Sequence, residues 1–508
     1  MFWRFSFGTL SYVDELLNKE DITLWGLVES EECTVDDIIQ EVKARNHKLL
    51  NLITERDTII SLLRSILDPP APPNTEADKE ALSQAKYTRV ACEVFCCESQ
   101  EICDTIGGDE ELMGLLFSFV DTEEPLHNGL AGYFGRVVCS LLFKSGQQTL
   151  KYLEENPVVL NNLLRHTSSS SVGEIIIRVA ASDEEWVANT SLVETLLEKL
   201  SPGKPADEQV NAAEVLCGIN TDIYPFSNPV KQKLYNKDNI KRLCTYAFET
   251  PGKIMVPAIM VFTNLLVGVG RNSDGEEDGE DGQSAGVQPY RSAMFEVVHL
   301  HTSRIVSLLD VACDGAVQEM PYGVIKPPFG VSRLRVVELL RVLLWIAGAE
   351  VESALIASQA LPKCLETFLR YPFNNLLHSS VEGLVTFALE EDTPQLANHL
   401  VLDFDLATFV ARAPLTVTPE PLPGSSRGPT PLRAGYIGHL TRIGNKLIDR
   451  ARKYPDIAES LAANEEWQSY VSTTLEECNQ KDDIENWACG RPAQAFGEDD
   501  EGMGQFMQ

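Results

Sequence analysis

Between Val331 and Leu389 the chain repeats one device: a run of helix length with apolar residues at the helical period, cut by a short turn, then another run. The spacing predicts helices over Val331–Ala347, Leu361–Arg370 and Asn374–Leu389. In the first, Val336, Val337, Leu339, Leu340, Leu343, Leu344 and Ile346 fall on one wide arc. Arg335, Glu338 and Arg341 lie opposite, three apart, where charges on successive turns meet. Leu334, Val342 and Trp345 interrupt that polar arc, which predicts a helix covered on more than one side. In the third, Leu376, Leu377, Val381, Leu384, Val385 and Ala388 share a face, and Asn375, His378, Ser379, Glu382 and Thr386 share the other. A stiff, Pro-bounded turn from Tyr322 to Gly330 opens the unit. Helices too apolar to stand alone, joined by tight turns, are how an α-solenoid builds a continuous core from stacked pairs.

The same text runs along the chain. Helices are expected from Val13 to Leu67, with Asp36 and Asp37 beginning one of them, until the tandem prolines after Asp68 stop it. They resume from Lys79 to Leu200, with Ser168–Ser171 either a loop or an N-cap. Further runs cover Asp207–Ile219, Ile240–Phe248, Lys253–Val269 and Ala434 to about Thr474. Alternating β-branched stretches are scarce, so almost nothing reads as strand. Three segments break the pattern: a Pro-rich loop at 68–80, an acidic, disordered insert at 271–290, and a Pro/Gly/Ser-rich loop at 415–432. The insert is a solvated spacer between helices or an acidic regulatory segment. A single helical-repeat domain is expected over 1–488, with an acidic flexible tail over 489–508.

Charge and cysteines narrow the function. Lys and Arg total 42 against 75 Asp and Glu, a net of −33, which argues against nucleic-acid or anionic-membrane binding. Cys92, Cys96, Cys97 and Cys103 cluster without zinc spacing and without a nearby His, so free thiols and a cytoplasmic or nuclear setting are expected. No signal peptide is visible, and Ile254–Val269, holding Pro257, Thr263 and Asn264, is too short and polar to insert in a membrane. No nucleotide loop, zinc-protease, nucleophile-elbow or phosphatase metal motif occurs, so no enzyme, cofactor or metal site is expected.

Two constellations remain. Over Gly435–Ile448, Tyr436, Leu440, Ile443 and Leu447 form a stripe, and His439, Arg442, Lys446 and Arg450 a basic ridge on the opposite face. That ridge either balances nearby acids or docks an acidic partner. His378 and Glu382, four apart on a helix, form half of a metal or acid/base site, but no third ligand is in view. Candidate partner-binding residues are Arg333, Arg335, Asn375, His378, Glu382, His439, Arg442 and Lys446.

Several stretches together carry a resemblance. They are Met1-Phe2-Trp3-Arg4-Phe5, Glu20–Leu24, Gln40–Asn46, Cys92-Glu93-Val94, Asn211–Cys217, Pro327–Leu334, Asn374–His378 and Gly435–Ile443. In that order the chain resembles the SAPS family, regulatory subunits of the Sit-four/protein phosphatase 6 class of serine/threonine phosphatase. The resemblance implies an all-α chain, an α-solenoid of armadillo/HEAT-like helical repeats with irregular loops. It implies a non-catalytic scaffold that binds the phosphatase catalytic subunit and directs it to substrates, with a further scaffold subunit as a second candidate partner. An unrelated α-solenoid adaptor in transport or trafficking is the alternative.

Overall fold

The computed structural model describes residues 12–19, 22–30, 32–67, 77–97, 99–221, 226–271, 283–311, 318–320, 323–325, 327–346, 348–390, 394–415, 433–483, 487–488 and 491–492. Its packing separates two compact units, Met1–Asn239 and Ile240–Gln508.

In the first unit, short polar signals set where helices begin. Thr34 caps Val35–Lys43: its hydroxyl accepts from the Asp37 amide at 3.2 Å, and the Asp37 carboxylate accepts from the Thr34 amide at 2.9 Å. That reciprocal capping box is worth about 1 kcal/mol. Ser169 stands at the N-cap of the helix Ser170–Ala180, which begins within the serine run, but its hydroxyl makes no capping bond. Three helices form the spine of the unit: α1 (Asn128–Lys144), α2 (Ser170–Ala180) and α3 (Ala206–Ile219). α2 packs between the other two, burying Val172, Ile175, Ile176 and Val179. Shorter helices, Gly146–Glu155 on α1 and Leu192–Lys199 on α3, complete the pairs. Cys92 and Cys103 are buried, and burial pushes the Cys103 thiol up to about 11.

The second unit repeats this layering. Its spine is α4 (Val256–Arg271), α5 (Gly330–Ile346), α6 (Asn375–Glu390) and α7 (Ile437–Lys453), each packed on the next. Ala349–Ala357 and Ala360–Arg370 lie behind the spine, the second of these packing on α6, and Leu406–Arg412 packs on α7. Every residue of the predicted α5 arc is buried, from Val336 to Ile346. α4 and α5 approach closely at Gly270: a Cβ there would lie 2.3 Å from Ile346 Cγ2, so only glycine fits. No described helix is long and apolar enough to cross a membrane.

Stacked helix pairs make both units α-solenoid in architecture, and the differences from expectation are local. Ala77–Phe95 is a helix, so the Pro-rich loop ends by residue 76, not 80. Gln283–Ser307 is a helix that runs through Pro289, so 283–290 do not belong to the acidic insert. That stretch has lost the acid-glycine composition of residues 274–282, and helix formation follows. Residues 272–282, 416–432 and most of 489–508 lie outside the described residues. Two small antiparallel pairings went unpredicted: Gln318–Met320 with Gly323–Ile325, and Trp487–Ala488 with Arg491–Pro492. Their arms of two or three residues are too short to display alternation.

Candidate partner-binding face

The spine helices of the second unit leave one side uncovered. On α5 the exposed and half-exposed stripe is Val331, Arg335, Glu338, Arg341, Val342 and Trp345. On α6 it is Leu376, Ser379, Gly383, Phe387 and Glu390, and on α7 it is Gly438, Arg442, Lys446 and Asp449. These residues recur every three or four positions, so each helix offers one strip of its circumference. Large apolar side chains stand in that face: Val331 and Leu376 are each 64% exposed and Trp345 is 42% exposed.

The eight candidate residues divide between this face and the layer beneath it. Arg335 is exposed and meets Glu338 at 2.7 Å, as its spacing predicts. Asn375 is exposed at the start of α6. His439 and Arg442 both reach Glu382 across the α6–α7 boundary, the latter at 3.2 Å, and Lys446 pairs with Glu390. The hydrogen bond from Lys446 to Glu390 lifts its ammonium above the usual value. The basic ridge is thus also an ion-pair seam between two helices, with Arg442 still 71% exposed outside it. Arg450 is not part of the ridge. It is buried, donates to the Leu389 carbonyl at 3.2 Å and lies 3.8 Å over the Tyr454 ring.

Arg333 and His378 do not reach the surface. Arg333 is buried beside the turn that precedes α5, donating to the carbonyls of Phe329 (2.9 Å) and Pro328 (2.7 Å) and to the Tyr371 hydroxyl (2.9 Å). The Tyr371 hydroxyl in turn donates to the Pro327 carbonyl at 3.1 Å. A planar guanidinium can satisfy three acceptors at once, and this one ties the Pro-rich turn to Tyr371 at the C-terminal end of the helix Ala360–Arg370. His378 is fully buried among Phe368 (ring centroids 4.6 Å), Tyr436 (5.5 Å) and His439 (5.6 Å). Its Nε2 donates to the Tyr371 carbonyl at 2.9 Å, which fixes the tautomer, and its Nδ1 has no partner among the described residues. Burial lowers its pKa to about 4, reinforced by His439, so the ring is neutral. His378 therefore belongs to the apolar side of α6, and the polar-face assignment is corrected. Leu376, assigned to the apolar face, stands in solvent instead. Glu382 is engaged by His439 and Arg442, not by His378. Among the described residues no group of three or more His, Cys, Asp or Glu is placed to hold a metal ion.

Sequence reasoning missed a groove on the same face, of about 330 Å³, lined by Val267, Arg341, Val342, Trp345, Gly383 and Phe387. The spacing predicts a second covered side at Val342 and Trp345, but the structure leaves Trp345 exposed and Val342 half-exposed. The available signal was Gly383, a glycine on the polar side of an otherwise well-formed helix. Arg341 lies across it, with Cδ and Nη1 each 3.5 Å from where a Cβ would stand.

The family model described as SIT4 phosphatase-associated protein, SAPS, matches residues 138–354 and 346–484. The chain is 25% identical over 524 residues to serine/threonine-protein phosphatase 6 regulatory subunit 3 of Gallus gallus, covering 96% of this chain and 59% of that one. It is 26% identical to regulatory subunit 2 of Homo sapiens, covering 96% and 55%. Extragenic suppressor of kinetochore protein 1 of Schizosaccharomyces pombe is 23% identical, covering 68% and 44%. The chain thus spans a little over half the length of the curated relatives it matches. A crystal structure of a Kap121p mutant is similar at a TM-score of 0.26 and 10% identity, over 88% of this chain and 56% of that one, too slight a likeness to carry an argument.

Proposed function

Because this chain belongs to the SAPS family of SIT4 phosphatase-associated proteins, we propose that it is a non-catalytic regulatory subunit that binds a protein phosphatase 6-type catalytic subunit and directs it to substrates. The observation that carries this reading is similarity to named phosphatase 6 regulatory subunits along 96% of the chain. The exposed face of α5, α6 and α7 is the contact surface of the proposal. Arg335, Asn375, Glu382, His439, Arg442 and Lys446 contribute polar contacts there, around the exposed Val331 and Leu376. Apolar anchors inside a polar rim are the usual anatomy of such interfaces. Arg333 and His378 contribute from below, by holding the Pro-rich turn and the start of α6 in place. A standard interface buries about 1,600 Å² in total, which a few helix pairs present. The proposal takes 1–488 as the SAPS-type region, a further scaffold subunit as a second partner, and cytoplasm and nucleus as its location.

The test is affinity purification of the whole chain from cell extract, wild type and R442E/K446E, with mass spectrometry of what accompanies it. A phosphatase 6-type catalytic chain is expected with the wild type and at least tenfold less with the double variant, about 1.4 kcal/mol or more of binding. Recovery of transport or trafficking proteins alone rejects the phosphatase reading. Full recovery by the double variant removes the α7 ridge from the interface.

A further inference from the structure

The groove on the second unit combines three features not explained by the fold. The first is an open aromatic wall. Trp345 is 42% exposed although its neighbours Leu344 and Ile346 are buried, and its ring rests against α4, with Cζ3 3.6 Å from the Cβ position of Gly270. Val267, Val342 and the half-buried Phe387 complete an apolar trough of about 330 Å³, near the low end of sites that seat ligand groups.

The second is an uncompensated cation at the edge of that trough. Arg341 is exposed and makes no ion pair or hydrogen bond among the described residues. This is notable in a chain with 75 acidic residues against 42 basic ones. The acids around it are taken: Glu338, one turn earlier, by Arg335; Glu382, next to Gly383, by His439 and Arg442; Glu390, one turn beyond Phe387, by Lys446. The third is Gly383, whose missing side chain lets the Arg341 stem lie flat across α6 beside the trough. A guanidinium held against an apolar surface keeps its donors free and is well disposed toward a carboxylate.

We infer that this groove docks a short segment of a partner protein in which a large apolar side chain stands next to Asp or Glu. The apolar side chain enters between Trp345, Val342 and Phe387, and the neighbouring carboxylate pairs with Arg341. The chain's own acidic run, Asn272–Gly282, has no apolar residue to fill the trough. The inference goes beyond the phosphatase reading, because it gives the face a linear-motif site that can recruit a substrate or adaptor whether or not the α7 ridge holds a phosphatase.

The test uses the purified whole chain and fluorescein-labelled peptides in anisotropy titrations, so it is independent of any phosphatase. The probe is Glu-Glu-Leu-Phe-Glu-Glu, against Glu-Glu-Ser-Ser-Glu-Glu and Lys-Lys-Leu-Phe-Lys-Lys. Saturable binding of the first is expected, with both controls at least tenfold weaker. W345A and R341E are each expected to weaken it at least tenfold; R341M, which keeps the stem and drops the charge, is expected to do the same while melting like the wild type. No saturable binding by the wild type, equal binding of the serine peptide, or binding that survives R341M overturns the inference.

Discussion

His378 makes the buried side of α6 sensitive to acid, and the size of the effect follows from its surroundings. The ring has no solvent contact, and its neutral form already donates its one proton to the Tyr371 carbonyl. A second proton would place a cation out of water among Phe368 and Tyr436, with His439 nearby. The folded pKa is about 4 against an ordinary 6.5, so the unfolded chain takes up the proton first. The stability gained by keeping the ring neutral is whole above pH 6.5 and drains away as pH falls from 6.5 through 4. The full shift corresponds to about 3 kcal/mol, and its share between pH 7 and pH 5 to about 2 kcal/mol. The perturbation is H378Q, which keeps a donor near Nε2 but cannot titrate. The assay is hydrogen exchange of the α6 amides at both pH values, corrected for intrinsic rates. Wild-type protection is expected to fall by about thirtyfold more than that of the variant. Carboxylates elsewhere titrate equally in both proteins and cancel in the difference. Equal falls in the two proteins would show that His378 is not held neutral by burial.

Two further expectations concern the frame that carries the face. L340D puts a carboxylate where α5 is 1% exposed; the cost is about 3–5 kcal/mol, read as a lowered urea midpoint for the second unit, and a wild-type curve would mean that the α5 arc is misdrawn. R333K keeps the charge but not the fork, so at least one of the Phe329 carbonyl, Pro328 carbonyl and Tyr371 hydroxyl loses its donor; a loss of about 1–3 kcal/mol in thermal unfolding is expected, and an unchanged Tm would refute the latch.

The helices were legible because their signals are local. Apolar period placed α5 and α6 within a residue or two, and Asp36 and Asp37 marked the helix start that Thr34 caps. Long-range geometry was not legible. Nothing in the neighbourhood of His378 says that Phe368 and Tyr436, from two other helices, close over it. At 100° per residue His378 lies within about 60° of both Val381 and Val385 on the buried arc as well as near Glu382, and it was its polar type that put it with Glu382. Arg333 misled for a related reason: charge reads as exposure, whereas here backbone carbonyls of a Pro-rich turn, which lacks amide partners for them, supply the acceptors. The ridge was legible as a ridge, but its division between helix seam and free surface depended on Glu382 and Glu390 lying across from it.

The distinction between seam and surface also bears on which partner fits where. With a net charge of −33, the field at a distance repels acidic partners and attracts basic ones, though screening confines it to roughly 10 Å at ordinary salt. Recognition of an acidic segment must then come from contact. At the α7 ridge most positive charge is spent on Glu382 and Glu390, so docking there exchanges existing ion pairs for new ones and leaves a small net gain. At Arg341 no pair among the described residues has to be broken. An arriving carboxylate meets a guanidinium whose neighbours' charges are already balanced, and the adjoining apolar trough lowers the local dielectric as it fills. Per charge, the groove therefore discriminates more sharply than the ridge, and it does so through Trp345 and Gly383, residues that a reading of charge along the sequence passes over.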